Sequence, residues 1–183
     1  MPNDRLTVEQ LHECFLKVIG EYVVNHSATQ SKPIEIDLLH PLPRRIRVYL
    51  YNLTSPPGGR TLGEHKIQLI VPGQDRGTRG NFDFSDGRLV FLAGYEYTHD
   101  VFVLWDAGLY PDFAYSMNVQ VKAESVFMAH TGKVVYQERR LHAGPLEIVI
   151  ACPSRLLRAA IEARTKLSLE QLLEGQGHHE RTS

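Results

Sequence analysis

Two apolar runs, "RLVFLAGY" from Arg88 and "DVFVLWDA" from Asp100, limit what this chain can fold into more than any other feature. A strand with one wet face alternates apolar and polar side chains, and these runs do not. Both are short, rich in Val, Phe and Leu, and separated only by "EYTH". That pattern predicts a central hairpin buried on both faces.

The flanks extend the β character. Thr7 and Gln10 form a capping-box pattern, and Val8, Leu11, Phe15, Val18, Ile19 and Tyr22 then recur at helical spacing, which predicts a first helix to about Asn25. After the polar connector "NHSATQSKP", the alternating "IEIDL" begins a strand. "RIRVYLYNLT" puts Ile46, Val48 and Leu50 on an inward face and Arg47, Tyr49 and Tyr51 on the other, where a cation would sit between exposed rings. "SPPGGR" is a loop, "HKIQLIV" a strand, and "PGQDRGTRGN" a loop with several positions free to take positive φ. "NVQVKA", "KVVYQER" and "PLEIVIA" read as further strands and "ESVFMAH" as a helical turn. Pro153 and Ser154 open a helix through "RLLRAAIEAR", and Ser168 with Gln171 caps a last short helix that Gly175 stops.

The sum is about eight strands with helices at the two ends and no alternating βαβ order. The expected fold class is α+β, mostly β: an antiparallel barrel or strongly curled sheet with flanking N- and C-terminal helices. At 183 residues the chain suits one domain, placed at residues 1–175, with 176–183 a disordered tail.

Composition removes several classes of function. No apolar run approaches the ~18 residues of a membrane span, and the N-terminus lacks a signal peptide's basic-then-apolar order, so a cytoplasmic protein is expected. Cys14 and Cys152 sit in apolar segments and read as buried free thiols. "GQDRGTRG" lacks the Gly-Lys-Ser/Thr ending of a phosphate-binding loop, and no Gly-x-Ser-x-Gly elbow occurs. The nine histidines are dispersed without zinc spacing; His99, Asp100 and Asp106 read as turn residues, and Trp105 as core.

Two chemistries remain. From Arg44 to Arg88 eight basic residues face four acidic ones, although the whole chain carries a net charge of -1. A binding surface would use Arg44, Arg47, Arg60, Lys66, Arg76 and Arg79 on phosphates, with Tyr49, Tyr51 and Asn52 adjoining and Arg88 also in the DNA-binding set. Arg76, Arg79 and Asn81 are the candidates for reaching base edges. A nuclease would instead pair Asp37 and Glu64 on Mg²⁺ and use Lys66 beside the scissile phosphate; no cofactor is expected otherwise. A protein-interaction barrel with an incidental positive face is the third possibility.

Taken in order, "RVYLYNLTSPPGGR", "EHKIQL", "GNFDFSDGR", "LAGYEYTHDVFVLWDA" and "FAYSMNVQVKAE" resemble bacterial DNA-recognition domains found beside methylases and restriction endonucleases. The likeness runs from about Arg44 to Glu124. It is also similar to the DNA-binding pseudobarrel of restriction-enzyme effector domains and a class of plant transcription factors. The resemblance implies double-stranded DNA as partner, gripped by two arms near Arg44 to Arg60 and Arg76 to Arg88. It implies a role in restriction-modification or phage defence, with a separate nuclease or methylase subunit doing the covalent chemistry. An aromatic pocket for a flipped, modified base stays open.

Overall fold

The computed structural model describes residues 5–55, 63–142 and 144–179. Helix α1 (Val8–Val18) starts with the expected reciprocal box: the Thr7 hydroxyl accepts from Gln10 N and the Gln10 side chain accepts from Thr7 N. Strands β1 (Val23–His26), β2 (Ile34–Leu38), β3 (Arg45–Asn52), β4 (Glu64–Leu69) and β5 (Arg79–Gly80) follow. After them come β6 (Leu89–Glu96), β7 (Val101–Trp105), β8 (Phe113–Ala114) and β9 (Met117–Lys122). Helix α2 (Ala123–His130), strands β10 (Val135–Arg140) and β11 (Leu146–Pro153), and helix α3 (Leu157–His179) complete the chain. No helix among the described residues is long and apolar enough to cross a membrane.

Seven strands form one sheet in the order β1-β2-β3-β6-β7-β11-β10, with β3 and β6 parallel and the other neighbours antiparallel. The two apolar runs are adjacent strands, β6 and β7, inside this sheet. Each face carries its own core. On one side Ile46, Val48, Phe91, Phe102, Leu104 and Ile150 pack with Leu11 and Phe15 of α1 and with Leu157, Ala160 and Ile161 of α3. On the other, Tyr49, Tyr51, Leu92, Val103 and Trp105 pack with Ile67 and Val121 of the separate β4-β9 ribbon and with Val126 of α2. Trp105, fully buried, donates from Nε1 to Gln120 O at 3.0 Å and so ties the ribbon down.

The class, mixed and mostly β, is as expected, but the sheet is open. Strands β1 and β10 stand at opposite edges and do not pair. The physical reason is that the second face is covered by a different ribbon and by α2, so the sheet has no need to curl onto itself. The same cover corrects the reading of β3: Tyr49 and Tyr51 point away from Val48 as predicted, yet both are buried. The C-terminal segment also differs. Ser168 caps nothing; its hydroxyl lies 3.3 Å from Arg164 Nε inside one continuous helix, which passes Gly175 and reaches His179.

Candidate nucleic-acid interface

The polar connector before β2 is pinned to α1. Glu9 Oε1 accepts from the Gln30 amide at 2.6 Å and the Thr29 hydroxyl at 3.3 Å, and His12 Nδ1 lies 2.7 Å from Thr29 O. The Ser27 hydroxyl accepts from Glu35 N at 2.9 Å, closing the connector onto the start of the sheet. These bonds set Lys32 over β3, with Nζ 3.7 Å from the centroid of the Tyr51 ring. That ring is fixed in turn by its hydroxyl, which donates to Ile70 O at 3.0 Å. Lys32 has no hydrogen bond or ion pair among the described residues. Burial brings its pKa down to about 8.

Lys32 lies between two adjoining clefts. The first, about 420 Å³, is lined by Glu35, Tyr49, Gln74, Arg79, Asn81 and Asp83 among others. The second, about 160 Å³, is lined by Arg5, Lys32, Tyr51, Asn52, Thr54, Gln68 and Ile70, with no carboxylate. Gln68 and Lys66 share the outward face of β4, and Lys66 pairs through its backbone with Thr54 (N···O 2.9 Å in both directions). Lys66 is therefore a neighbour of two residues that line the second cleft, Thr54 and Gln68.

The sequence-predicted cations separate into two groups. Arg47 is buried: it donates to Glu35 Oε1 at 3.1 and 2.8 Å, to Asp83 O at 2.7 Å and to Ser85 O at 3.1 Å. Arg88 lies 3.0 Å from an Asp37 oxygen and 3.3 Å from Glu35. Tyr49 accepts from Asp83 N at 2.9 Å and stacks at a tilt on Phe82. These three hold the 82–88 loop on the sheet. Arg44 and Arg76 are exposed and Lys66 half-buried, and none has a side-chain partner among the described residues. Arg79 pairs with Asp112, with side chains 61% and 62% exposed, and Asn81 is exposed beside it. Arg60 lies outside the described residues.

The nuclease trio is not assembled. Asp37 pairs with Arg45 at the start of β3, whereas Lys66 bridges Thr54, nine residues further along the same extended segment. At about 3.3 Å per residue this is roughly 30 Å, far beyond the span of one Mg²⁺ shell. Glu64 and Lys66 do share a face, but Asp37 is engaged by Arg88. Among the described residues no group of three His, Cys, Asp or Glu side chains is placed to hold a metal.

Sequence reasoning missed Lys32 and Arg5, because neither sits in a basic run or a motif. It also missed a cluster of histidines around α2. His65, His99 and His130 come from three separate segments: His99 and His65 approach Phe127 edge-on, and His130 Nδ1 lies 2.8 Å from His99 O. His65 Nε2 is 3.2 Å from the Ser55 hydroxyl, and burial lowers its pKa, so the imidazole is neutral near pH 7.

Comparison with curated proteins and with solved structures gave no match. The model of the methylase-associated X1 family, MTaX1, matches residues 44–161, from the start of β3 to the first turns of α3, and the chain belongs to that family.

Proposed function

We propose that this chain, acting as one domain, binds double-stranded DNA beside a methylase in a restriction-modification system and leaves cutting to another subunit. Membership of a methylase-associated family supports the setting. The binding reading is carried by one observation: Arg79 and Asn81, from the glycine-rich loop region, line the same cleft as Lys32, which joins it to a second cleft lined by cations and no acids. Arg44, Lys66, Arg76 and Arg79 would contact phosphates and Asn81 a base edge. Arg47, Tyr49, Tyr51 and Arg88 support that surface from beneath. Asp112 is no obstacle, since an ion pair this exposed is worth about 0–1 kcal/mol and yields to a phosphate.

The test is fluorescence anisotropy with a duplex of about 20 bp over a salt series. Log K should fall linearly with log salt, and Lys66→Ala and Arg79→Ala should each reduce the slope by about one. Affinity that ignores salt, or no affinity, overturns the proposal and leaves the apolar protein-interaction alternative.

A further inference from the structure

A buried ammonium without a counter-ion is costly, because the fold removes its water and gives nothing equivalent back. Lys32, half-buried and without a bonded carboxylate among the described residues, approaches that position. Among the described residues its close favourable contact is the face of the Tyr51 ring, which offers about 0.5–2 kcal/mol against a desolvation large enough to move its pKa from 10.5 to about 8. The connector that holds it there is itself bonded to α1 at three points, so the side chain is placed, not wandering. Beside it, Arg5 adds a second cation, Thr54 a hydroxyl and Gln68 a carboxamide. The Thr54 hydroxyl has only a long contact of 3.5 Å to Lys66 O, and Gln68 is exposed with no side-chain partner among the described residues. Two cations and two uncommitted polar groups around a cleft of about 160 Å³, room for about five waters, suit one tetrahedral oxyanion.

We infer that the acid-free cleft beside Tyr51 is a phosphate seat, with the Lys32 ammonium and Arg5 guanidinium taking the charge and Thr54 and Gln68 bonding the remaining oxygens. For the source of that phosphate the inference rests on the duplex reading. Arg5 and Lys32 lie outside residues 44–161, so the seat adds to the family-matched segment a contact supplied by the chain's own N-terminal part. An anion in the seat restores the ammonium's partner, and binding must therefore draw a proton onto Lys32 above pH 8.

The experiment follows the Lys32 side-chain resonances by NMR through a pH titration, alone, with inorganic phosphate, and with the duplex. Lys32→Met and the control Lys133→Met, on an exposed turn before β10, are measured alongside by anisotropy. Both probes should raise the Lys32 midpoint by a unit or more. Lys32→Met should lose the phosphate response and weaken the duplex about tenfold at low salt, a single-contact effect, while Lys133→Met changes neither. A midpoint that neither probe moves overturns the seat, and this arm needs no variant. Lys32→Met that binds the duplex like the parent also overturns the seat, yet leaves the duplex reading standing. Phosphate that raises the midpoint while the duplex does not bind keeps the seat and ends the duplex reading.

Discussion

Nε and Nη2 of Arg47 both donate to a single oxygen of Glu35, at 3.1 and 2.8 Å, across the β2-β3 pair. The remaining nitrogen, Nη1, reaches two carbonyl oxygens of the 82–88 loop and lies 3.4 Å from the Asp83 carboxylate, while Nη2 is also 3.5 Å from the Asp86 carboxylate. An arginine placed on a strand's outer face by alternation is here the bolt between the sheet and the loop that carries Phe82. Five donors in a fixed fork can serve such a junction, where a lysine's point charge cannot.

Arg47→Met should therefore act on stability before binding. The buried donors are lost and Glu35 is left short of a partner, a cost of roughly 2–4 kcal/mol tempered by the exposure of the carboxylates. Chemical denaturation should show the loss, and amide exchange at Asp83 should accelerate. The slope of log K against log salt for duplex should stay near that of the parent, unlike Arg79→Ala. An unchanged midpoint of denaturation would mean that the loop is held by Phe82 packing alone.

The central strands were legible because "LVFLAGY" and "VFVLW" contain almost nothing that tolerates water, so no arrangement but double cover fits them. Strand β3 was half legible. Its alternation gives the correct two faces, but an arginine flanked by tyrosines looks the same under solvent as under a second layer. The cover comes from β4, β5, β8 and β9, whose pairing is non-local. The candidate site suffers likewise: Arg79 and Asn81 were visible as loop polar residues, while Lys32 gains its character only from desolvation and from Tyr51, nineteen residues away in sequence. Long-range burial is not written in local spacing.

Cleavage is expected to be absent from the isolated chain. With Asp37 and Lys66 at opposite ends of β3, supercoiled plasmid incubated with Mg²⁺ should stay intact over hours, and Lys66→Ala should give the same gel. Nicking by the parent that Lys66→Ala abolishes would restore the nuclease reading.

Gly94 fixes how closely the ribbon approaches the sheet. A Cβ there would stand 2.9 Å from Ile67 Cγ2 and 3.2 Å from the Trp105 ring. Both neighbours are fully buried and cannot swing away. Gly94→Ala should cost about 1–3 kcal/mol through overpacking, read by denaturation, with a shift in Trp105 emission as the ring moves. A substitution without effect on either would show that β4 is not seated on β6 at this point.

Lys32 separates a stability role from a binding role through pH. Its folded pKa, about 8, lies below the value of 10.5 for the free side chain, so between the two the unfolded chain holds more protons than the folded one. Stability from this group is therefore lowest below pH 8 and rises as pH climbs toward 10.5. The shift corresponds to at most about 3 kcal/mol, reduced to about 1–2 kcal/mol by the Tyr51 ring. The titratable and charged groups around it are His12, whose own pKa is lowered by burial, Arg5 on the second cleft, the Tyr51 phenol, whose pKa burial raises, and, across the first cleft, Glu35, Asp83, Arg47, Arg79 and Tyr49, none of them bonded to the ammonium. Lys32→Met removes the charge and keeps the apolar stem. At pH 7 its Tm should exceed the parent's by a few degrees, and the gap should narrow as pH rises through 8 to 10, even as duplex affinity falls. A Lys32→Met protein that melts below the parent at pH 7 would mean that the ammonium already has its partner in the folded chain, and the cleft beside it would then have no charge to offer a phosphate.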